Sequence, residues 1–319
     1  MTTPLHHSQT GYRNPHLSAF KKSLWQVFKM RWTSQWANHR SLAHEVKRCQ
    51  PDYARIATPT QELQLTWIGH STFLIQVNGI NILTDPVFSE RVSPFSFAGP
   101  RRYTPPAMNI DELPPIDYAV ISHNHYDHLD LDSVKAIGND CLWVLPKDNE
   151  KYLHKEGITN TIELDWWASH CVDELTFTAT PAQHWSARGL NDRCEALWCG
   201  WVLKTKQHRV YFAGDTGYND TDFNEIGRRL GPFDVSLIPI GAYEPRWFMK
   251  DMHINPSEAV QIHKDVCSKQ SFAMHWGTFP LTAEPPGAPA TELALALERS
   301  AIDQSQFCTL QIGETRPMD

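Results

Sequence analysis

The sequence predicts a layered α/β protein, with α and β elements mixed along the chain and helices covering the outer faces of two packed β-sheets. Short apolar or alternating runs of strand length follow one another from Leu63 onward, separated by turns. Amphipathic stretches of helical length interrupt these runs more often in the second half of the chain. The 319 residues, 41% of them hydrophobic, are sufficient to bury a large core between such layers.

Strands are predicted first in LQLTWIG, TFLIQVN and INILTDP, with Asn78-Gly79 typical of a hairpin turn between the last two. Further strands are predicted in DYAVISH, CLWVLP, TIELDWW, LTFTATPAQH, LWCGWVLKT, RVYFAGD, DVSLIPIGA, SFAMHWG and FCTLQIGE. Helices are predicted in LDSVKAIG, TDFNEIGRRLG, NPSEAVQIHKDVC and ATELALALERSA. Gly138 and Gly231 stand where helix C-caps do, and Asn255-Pro256 is a typical helix start.

Residues 1–60 are predicted to form a basic amphipathic extension, and residues 61–319 the main domain. No acidic residue precedes Glu45, and an aromatic stripe at helical spacing lies between lysines: Phe20, Leu24, Val27, Phe28 and Trp32. Such a helix lies at an anionic membrane surface, or it packs its stripe on the domain and leaves its lysines in water. Both interpretations are open at this point.

Composition narrows the class of protein. The net charge of -7 argues against a general nucleic-acid binder, and no apolar run approaches the roughly 20 residues of a membrane-spanning helix. The N-terminus lacks the layout of a secretory signal, and the seven scattered cysteines are typical of reduced thiols. We therefore expect an intracellular, cytoplasmic protein that associates peripherally with membranes.

Three histidines and two aspartates are concentrated in ISHNHYDHLD, directly after the apolar run IDYAV. On an extended backbone His123, His125 and Asp127 share a face, and His128 follows at a turn. These groups suit zinc or a similar metal, and they exceed the needs of one tetrahedral site with an open position. Further candidate ligands end other apolar runs beside small or turn residues: His184, Asp215 and His275. Any one of these is more often structural, but the set favours a two-metal centre.

The motif His123-Asn124-His125-Tyr126-Asp127-His128 resembles the HxHxDH signature of the metallo-β-lactamase superfamily. Over residues 63–314, the stretches TWIGHST, LTDPVFSERVSP, ELDWW, AQHW, FAGDTGY, GPFDVSLIPIGAYEPRWFM and HWGTF are similar to its N-acylphosphatidylethanolamine-hydrolysing phospholipase D branch. The resemblance implies an αββα sandwich with two Zn²⁺ per chain, although iron or manganese is an alternative. It assigns His123, His125 and His184 to one metal and Asp127, His128 and His275 to the other, with Asp215 as the bridge.

The resemblance implies a zinc-dependent phosphodiesterase that releases N-acylethanolamine and phosphatidic acid from membrane phospholipid. The basic, aromatic N-terminal region supports contact with a membrane surface. A homodimer is compatible with the resemblance. Two metals about 3.5–4 Å apart would lower the pKa of a shared water toward 7, and the resulting hydroxide would attack the phosphorus. The alternatives are a hydrolase of the same fold acting on another phosphodiester or a lactone, and a non-catalytic metal-binding or scaffolding protein.

Catalytic roles are predicted for Asp127, which would orient the nucleophile, and for His253, which would protonate the leaving alkoxide, contact phosphate or merely cap a loop. Asp85 and Asp130 are candidates to hold the ligand histidines from behind, and Asp85 equally suits a plain turn. Substrate contacts are predicted for Tyr126, Trp185, Tyr243, Arg246 and Trp247. The structural alternatives are an ion pair for Arg246 and core packing for the aromatic residues.

Overall fold

The computed structural model describes residues 4–17, 25, 29–30 and 39–318. Within these residues the strands are β1 (His7–Ser8), β2 (Gly11–Tyr12), β3 (Leu63–Gly69), β4 (Thr72–Val77), β5 (Ile80–Thr84), β6 (Tyr118–Val120), β7 (Leu142–Pro146), β8 (Thr161–Leu164), β9 (Ser169–Val172), β10 (Leu175–Thr180), β11 (Gly200–Lys204), β12 (Arg209–Phe212), β13 (Phe233–Pro239), β14 (Ser268–Met274), β15 (Phe307–Cys308) and β16 (Thr315–Met318).

The helices in the same residues are α1 (Tyr53–Ala57), α2 (Leu131–Ile137), α3 (Glu150–His154), α4 (Asp220–Leu230), α5 (Arg246–Met249), α6 (Pro256–Asp265) and α7 (Ala288–Ser300). Two 3₁₀ segments are His39–Glu45 and Ile110–Glu112. None of the helices in the described part of the chain has the length and apolar composition of a membrane-spanning segment.

Two sheets of seven strands are present in the described residues. One has the order β16-β3-β4-β5-β6-β7-β8 and the other β15-β14-β13-β12-β11-β10-β9. On the outer side of the first sheet, α2 and α3 contribute Val134 and Leu153 to an apolar cluster with its strands. On the second sheet, α6 contacts β13 and β14. The predicted layered α/β class is confirmed.

Strand β3 shows how alternation divides its side chains between two environments. Leu63, Leu65 and Trp67 belong to the large apolar cluster shared with the second sheet. Gln64 points to the other face, where its Nε2 donates to Gln76 Oε1 at 2.7 Å. Because successive strand residues face opposite sides, one short run supplies both the core and a buried polar layer.

The predicted turn and helix ends agree with the backbone. Asn78 and Gly79 both have positive φ, 51° and 80°, as the two-residue hairpin between β4 and β5 requires. Gly138 ends α2 with φ 84°. The Asn255 side chain accepts a hydrogen bond from the N–H of Glu258 and caps α6, whose first residue is proline.

The segment 4–17 packs directly on the main domain. His6 Nε2 and His7 Nε2 each lie 2.7 Å from a different carboxylate oxygen of Asp165. Tyr12 donates its hydroxyl to Asp148 at 2.5 Å, and Asn14 donates its side-chain amide to the carbonyl of His184 at 2.8 Å. The predicted stripe of Phe20, Leu24, Val27, Phe28 and Trp32 lies outside the described residues. The boundary at residue 60 stays a prediction.

Candidate metal centre

The candidate ligands lie at one edge of the sandwich because the strands before them run in the same direction within each sheet. In the second sheet, β10 and β12 are both antiparallel to β11, while β12, β13 and β14 are parallel. His184, Asp215 and His275 therefore follow three strands that end at the same side. The motif residues 123–128 follow β6 of the first sheet in the same manner.

Glycine lets the Asp215 loop approach the motif closely. Gly214 has φ 61°, and a Cβ built on it would lie 2.8 Å from the Cβ of Ser122. A larger residue would push the two sheet edges apart at the point where their ligands meet.

Three imidazole nitrogens form the first group of ligand atoms. His125 Nδ1 lies 2.8 Å from His123 Nε2 and 3.2 Å from His184 Nε2. Hydrogen bonds from the opposite side fix two of these rings, since His184 Nδ1 donates to the carbonyl of Met252 and His123 Nδ1 lies 2.9 Å from Ser122 Oγ. All three predicted ligands of one metal are thus brought together.

The second group combines two imidazoles with two carboxylates. Asp127 Oδ2 lies 3.4 Å from His128 Nε2 and 3.3 Å from His275 Nε2. Asp215 Oδ2 lies 3.2 Å and 3.0 Å from the same two nitrogens. Asp215 also approaches His184 of the first group, at 3.9 Å, so its carboxylate stands between the groups as the resemblance implied.

These nitrogen and oxygen atoms are placed as ligands of metal ions, and not as hydrogen-bond partners of one another. The nitrogens of the first group face each other at hydrogen-bond distance. Where neither nitrogen of a pair carries a proton, their lone pairs repel each other at this distance. Asp215 Oδ1 is buried without a hydrogen-bond partner. Imidazole and carboxylate donors without thiolate suit zinc, and also iron or manganese.

The candidate ligand histidines fall into two kinds, those whose pKa is lowered and those whose pKa is raised. Burial, reinforced by neighbouring imidazoles, lowers the pKa of His123 well below its usual value and the pKa of His125 to about 3. Burial likewise lowers the pKa of His184 to about 4. Burial also acts on His128 and His275, but the carboxylates of Asp215 and Asp127 outweigh it. They raise the pKa of His275 to about 9 and the pKa of His128 well above its usual value.

Asp85 is the carboxylate behind the ligands. Its Oδ2 lies 2.6 Å from His128 Nδ1 and accepts a hydrogen bond from Ser122 Oγ, also at 2.6 Å. Asp130 does not have this role: its carboxylate accepts hydrogen bonds from Ser89 and Ser133 and caps α2. The prediction for Asp85 is confirmed and that for Asp130 is wrong, because the chain turns Asp130 away to begin the helix.

One further histidine reaches the second group. His70, in the turn between β3 and β4, places Nε2 3.2 Å from Asp127 Oδ2 and is buried. With Asp127, His128 and His275 it offers ligand-type atoms within 4.8 Å of one another. The sequence interpretation missed it. The only local signal was a histidine after Gly69 in TWIGHST, which is equally typical of a surface turn.

A cleft of about 500 Å³ opens onto the two groups of candidate ligand atoms. Tyr126, Trp185 and His253 line it, as predicted, and the remaining lining is Val92, His125, Asp127, Ala187, Arg188, Gly189, Arg193, Asp215, Ala242, Phe248, Met249, Met252, Leu281 and Thr282. His253 Nδ1 lies 3.8 Å from Asp215 Oδ2. Burial lowers the pKa of His253 well below its usual value, so its ring is neutral at pH 7.

Three predicted substrate contacts lie elsewhere among the described residues. Tyr243 is buried in the core. Arg246 forms a two-pronged ion pair with Glu258, with both oxygens 2.9 Å from Nη2, and donates to the carbonyl of His253. Trp247 points outward, 47% exposed, under the Lys29 ammonium. The positions of Tyr243 and Arg246 favour their structural alternatives, and the contact predicted for Trp247 stays a prediction.

Comparisons with known proteins agree with the geometry. Residues 80–276 match the model of a beta-lactamase superfamily domain. The chain is 46% identical over 263 residues to N-acyl-phosphatidylethanolamine-hydrolyzing phospholipase D 1 of Caenorhabditis elegans, covering 78% of this chain and 74% of that protein. It is 38% identical over 262 residues to the mitochondrial N-acyl-phosphatidylethanolamine-hydrolyzing phospholipase D of Saccharomyces cerevisiae, covering 80% of this chain and 56% of that protein.

The solved structure of isothiocyanate hydrolase from Delia radicum gut bacteria has a TM-score of 0.66 at 22% identity, covering 80% of this chain and 99% of that one, and supports the fold. Fold and site together define a metallo-hydrolase built on the αββα sandwich. The chain belongs to the metallo-β-lactamase superfamily and, within it, to the family of N-acylphosphatidylethanolamine-hydrolysing phospholipases D.

Proposed function

We propose that the protein is a dinuclear zinc phosphodiesterase that hydrolyses N-acylphosphatidylethanolamine to N-acylethanolamine and phosphatidic acid. One observation carries the proposal: the two ligand groups lie at a cleft that has an apolar wall. Four side chains form this wall: Phe248, Met249, Met252 and Leu281. The family supports the substrate, because relatives at 46% and 38% identity bear its name. The bound metals would activate water and neutralise charge on the phosphate.

The residues of the chain would divide the remaining work. Asp215 would fix the separation of the two metal positions, and Asp127 would hold one of them while orienting the nucleophile. His253, neutral and lining the cleft, would donate a hydrogen bond to the phosphate or to the oxygen of the leaving alcohol. Trp185 stands edge-on to His125 at 4.5 Å and would exclude water beside the reacting phosphorus.

A membrane surface is the proposed partner, and the proposed location is the cytoplasmic face of a membrane, with peripheral attachment. Exposed apolar side chains support this arrangement. Phe97 and Leu190 are 81% and 101% exposed, and Trp247 is about half exposed. The segments that carry them contribute Val92, Gly189 and Phe248 to the cleft wall. Aromatic and aliphatic side chains beside a cleft mouth favour the bilayer interface, where the substrate lies.

The test is hydrolysis of N-palmitoyl phosphatidylethanolamine in bilayer vesicles by the zinc-loaded protein in ¹⁸O-labelled water. We expect N-palmitoylethanolamine and phosphatidic acid, with the ¹⁸O in the phosphate, because attack occurs at phosphorus. Asp215→Asn is the inactive control. Release of diacylglycerol would assign cleavage to the other phosphodiester bond.

The second candidate function is the same fold acting on another phosphodiester or a lactone. No release of N-palmitoylethanolamine under zinc-replete conditions, together with turnover of soluble phosphodiesters or lactones, would refute the lipid assignment and favour this alternative. Metal analysis of the same samples decides whether two zinc ions are present per chain.

A further inference from the structure

We propose that His70 is a positioning residue that holds the Asp127 carboxylate in place as a metal ligand. The inference rests on the proposed two-metal site and does not depend on the lipid substrate. His70 lies 57 residues before Asp127 in the chain, yet its Nε2 lies 3.2 Å from Asp127 Oδ2. Its side chain is buried, so this contact replaces solvent as the partner of the ring.

The ring of His70 is confined on several sides. Its centroid lies 4.2 Å from the ring of His275 and 5.3 Å from the ring of His128. Phe279 packs against it edge-on at 5.1 Å. These contacts leave the imidazole little freedom to turn away from Asp127.

The main chain of His70 is held equally firmly in an uncommon conformation. Its φ is 53°, in the left-handed region that residues with a Cβ rarely adopt. Its N–H donates to Thr278 Oγ1 at 2.8 Å, and its carbonyl accepts from Trp67 Nε1 at 2.9 Å and from the N–H of His275 at 3.1 Å. Such conformations persist where surrounding contacts impose them, often at functional sites.

The direction of approach separates His70 from the ligand histidines. His128 and His275 place Nε2 near both Asp127 and Asp215, on the path between the two carboxylates. The described contacts of His70 Nε2 are with Asp127 alone. A carboxylate oxygen has two lone pairs, so Asp127 Oδ2 can accept the N–H of His70 and still face a cation. Donors of this kind behind a ligand stiffen it and raise metal affinity.

Because His70 contacts only the group of Asp127, His128 and His275, its loss should affect one metal position. We expect His70→Leu to weaken zinc binding there about 10- to 100-fold, as measured by chelator competition. The position held by His123, His125 and His184 should keep its affinity. His70→Gln retains a donor at similar reach and should restore most of the lost affinity.

His70→Asn separates the hydrogen bond from the backbone conformation. Asparagine tolerates positive φ but its amide is too short to reach Asp127, so it should keep the fold and still lose affinity. Circular dichroism and thermal unfolding of the metal-free variants check the fold, and the Co²⁺ absorption spectrum of each variant reports the ligand field. If His70→Leu does not fold, the zinc affinities of His70→Gln and His70→Asn still test the proposal.

Zinc affinity equal to that of the unchanged protein in all three variants would overturn the proposal and leave His70 as a packing residue. Loss of the metal in His70→Gln, as severe as in His70→Leu, would overturn it in favour of direct coordination. These measurements do not use lipid hydrolysis, so a failure of the proposed substrate would leave them unchanged.

Discussion

The carboxylate of Asp85 lies 2.6 Å from Nδ1 of His128, on the far side of the ring from the nitrogen that approaches Asp215 at 3.2 Å. The pair is buried, and Ser122 donates two further hydrogen bonds to the carboxylate, from its N–H and its hydroxyl. Asp85 therefore fixes both the tautomer and the direction of a predicted metal ligand.

Asp85→Asn should weaken metal binding at the position of His128 about 10- to 100-fold, because the amide carries no charge to hold the Nδ1 proton. Chelator competition measures the affinity. Asp130→Asn is the matched control, since this carboxylate caps α2 and accepts hydrogen bonds from Ser89 and Ser133 away from the ligand groups, and we expect its zinc affinity to stay intact. Equal zinc affinity in both variants would contradict the role of Asp85.

Metal binding should release protons. In the metal-free protein the raised pKa values of His275, about 9, and of His128 keep both rings protonated at pH 7. A cation must displace these protons, so zinc affinity should rise with pH from 7 towards 9 and weaken in acid. Calorimetric titration in two buffers of different ionisation enthalpy should give about two protons released from these rings at pH 7, and up to about one more where a bound water ionises. Affinity independent of pH would contradict the assignment of these ligands.

His253→Ala should lower kcat roughly 100-fold or more while both metals stay bound, because the ring is proposed to act on substrate. Metal content and kcat on the same preparation measure the two effects. His154→Ala, which removes an exposed histidine of α3, is the control. Loss of a metal in His253→Ala would instead make His253 a ligand, since it also lies near His184 and Asp215.

The exposed apolar rim should govern attachment to bilayers. Replacing both Phe97 and Leu190 with serine should weaken binding to anionic phospholipid vesicles at least about tenfold, since apolar area leaves the interface. Leu295→Ser, on the outer helix α7, removes a half-exposed leucine from another part of the surface and should bind normally. Turnover of a soluble phosphodiester should be unchanged in all variants. Vesicle binding unaffected by the double substitution would place the contact elsewhere.

The ligand set was predictable because its signals are local. Each of the seven residues lies in HxHxDH or at the end of an apolar run, and the strand directions carry these ends to one edge. His70 also follows an apolar run, LQLTWIG, but it lies in a short turn between two antiparallel strands, a position equally typical of a surface histidine. Its side chain points inward only because Trp67, Thr278 and His275 hold its backbone at positive φ, and two of these residues are distant in sequence.

Other differences have similar physical causes. Strand β16 was not predicted because Pro317 and Arg316 interrupt any apolar alternation; it forms at a sheet edge, where such residues are tolerated. Tyr243, Arg246 and Trp247 come from one short run but end in the core, in an ion pair and at the surface. A run of aromatic and basic residues does not reveal which way each side chain turns after the strand ends.

Each proposed cation position would take its ligands from both halves of the sandwich. His123 and His125 need His184, while Asp127 and His128 need His275 from the last long strand. During synthesis, therefore, the first half of the chain could not fully coordinate either ion, and the position that needs His184 would be completed before the other. Bound ions would hold the two sheets together, so we expect a chelator to destabilise the fold as well as abolish activity.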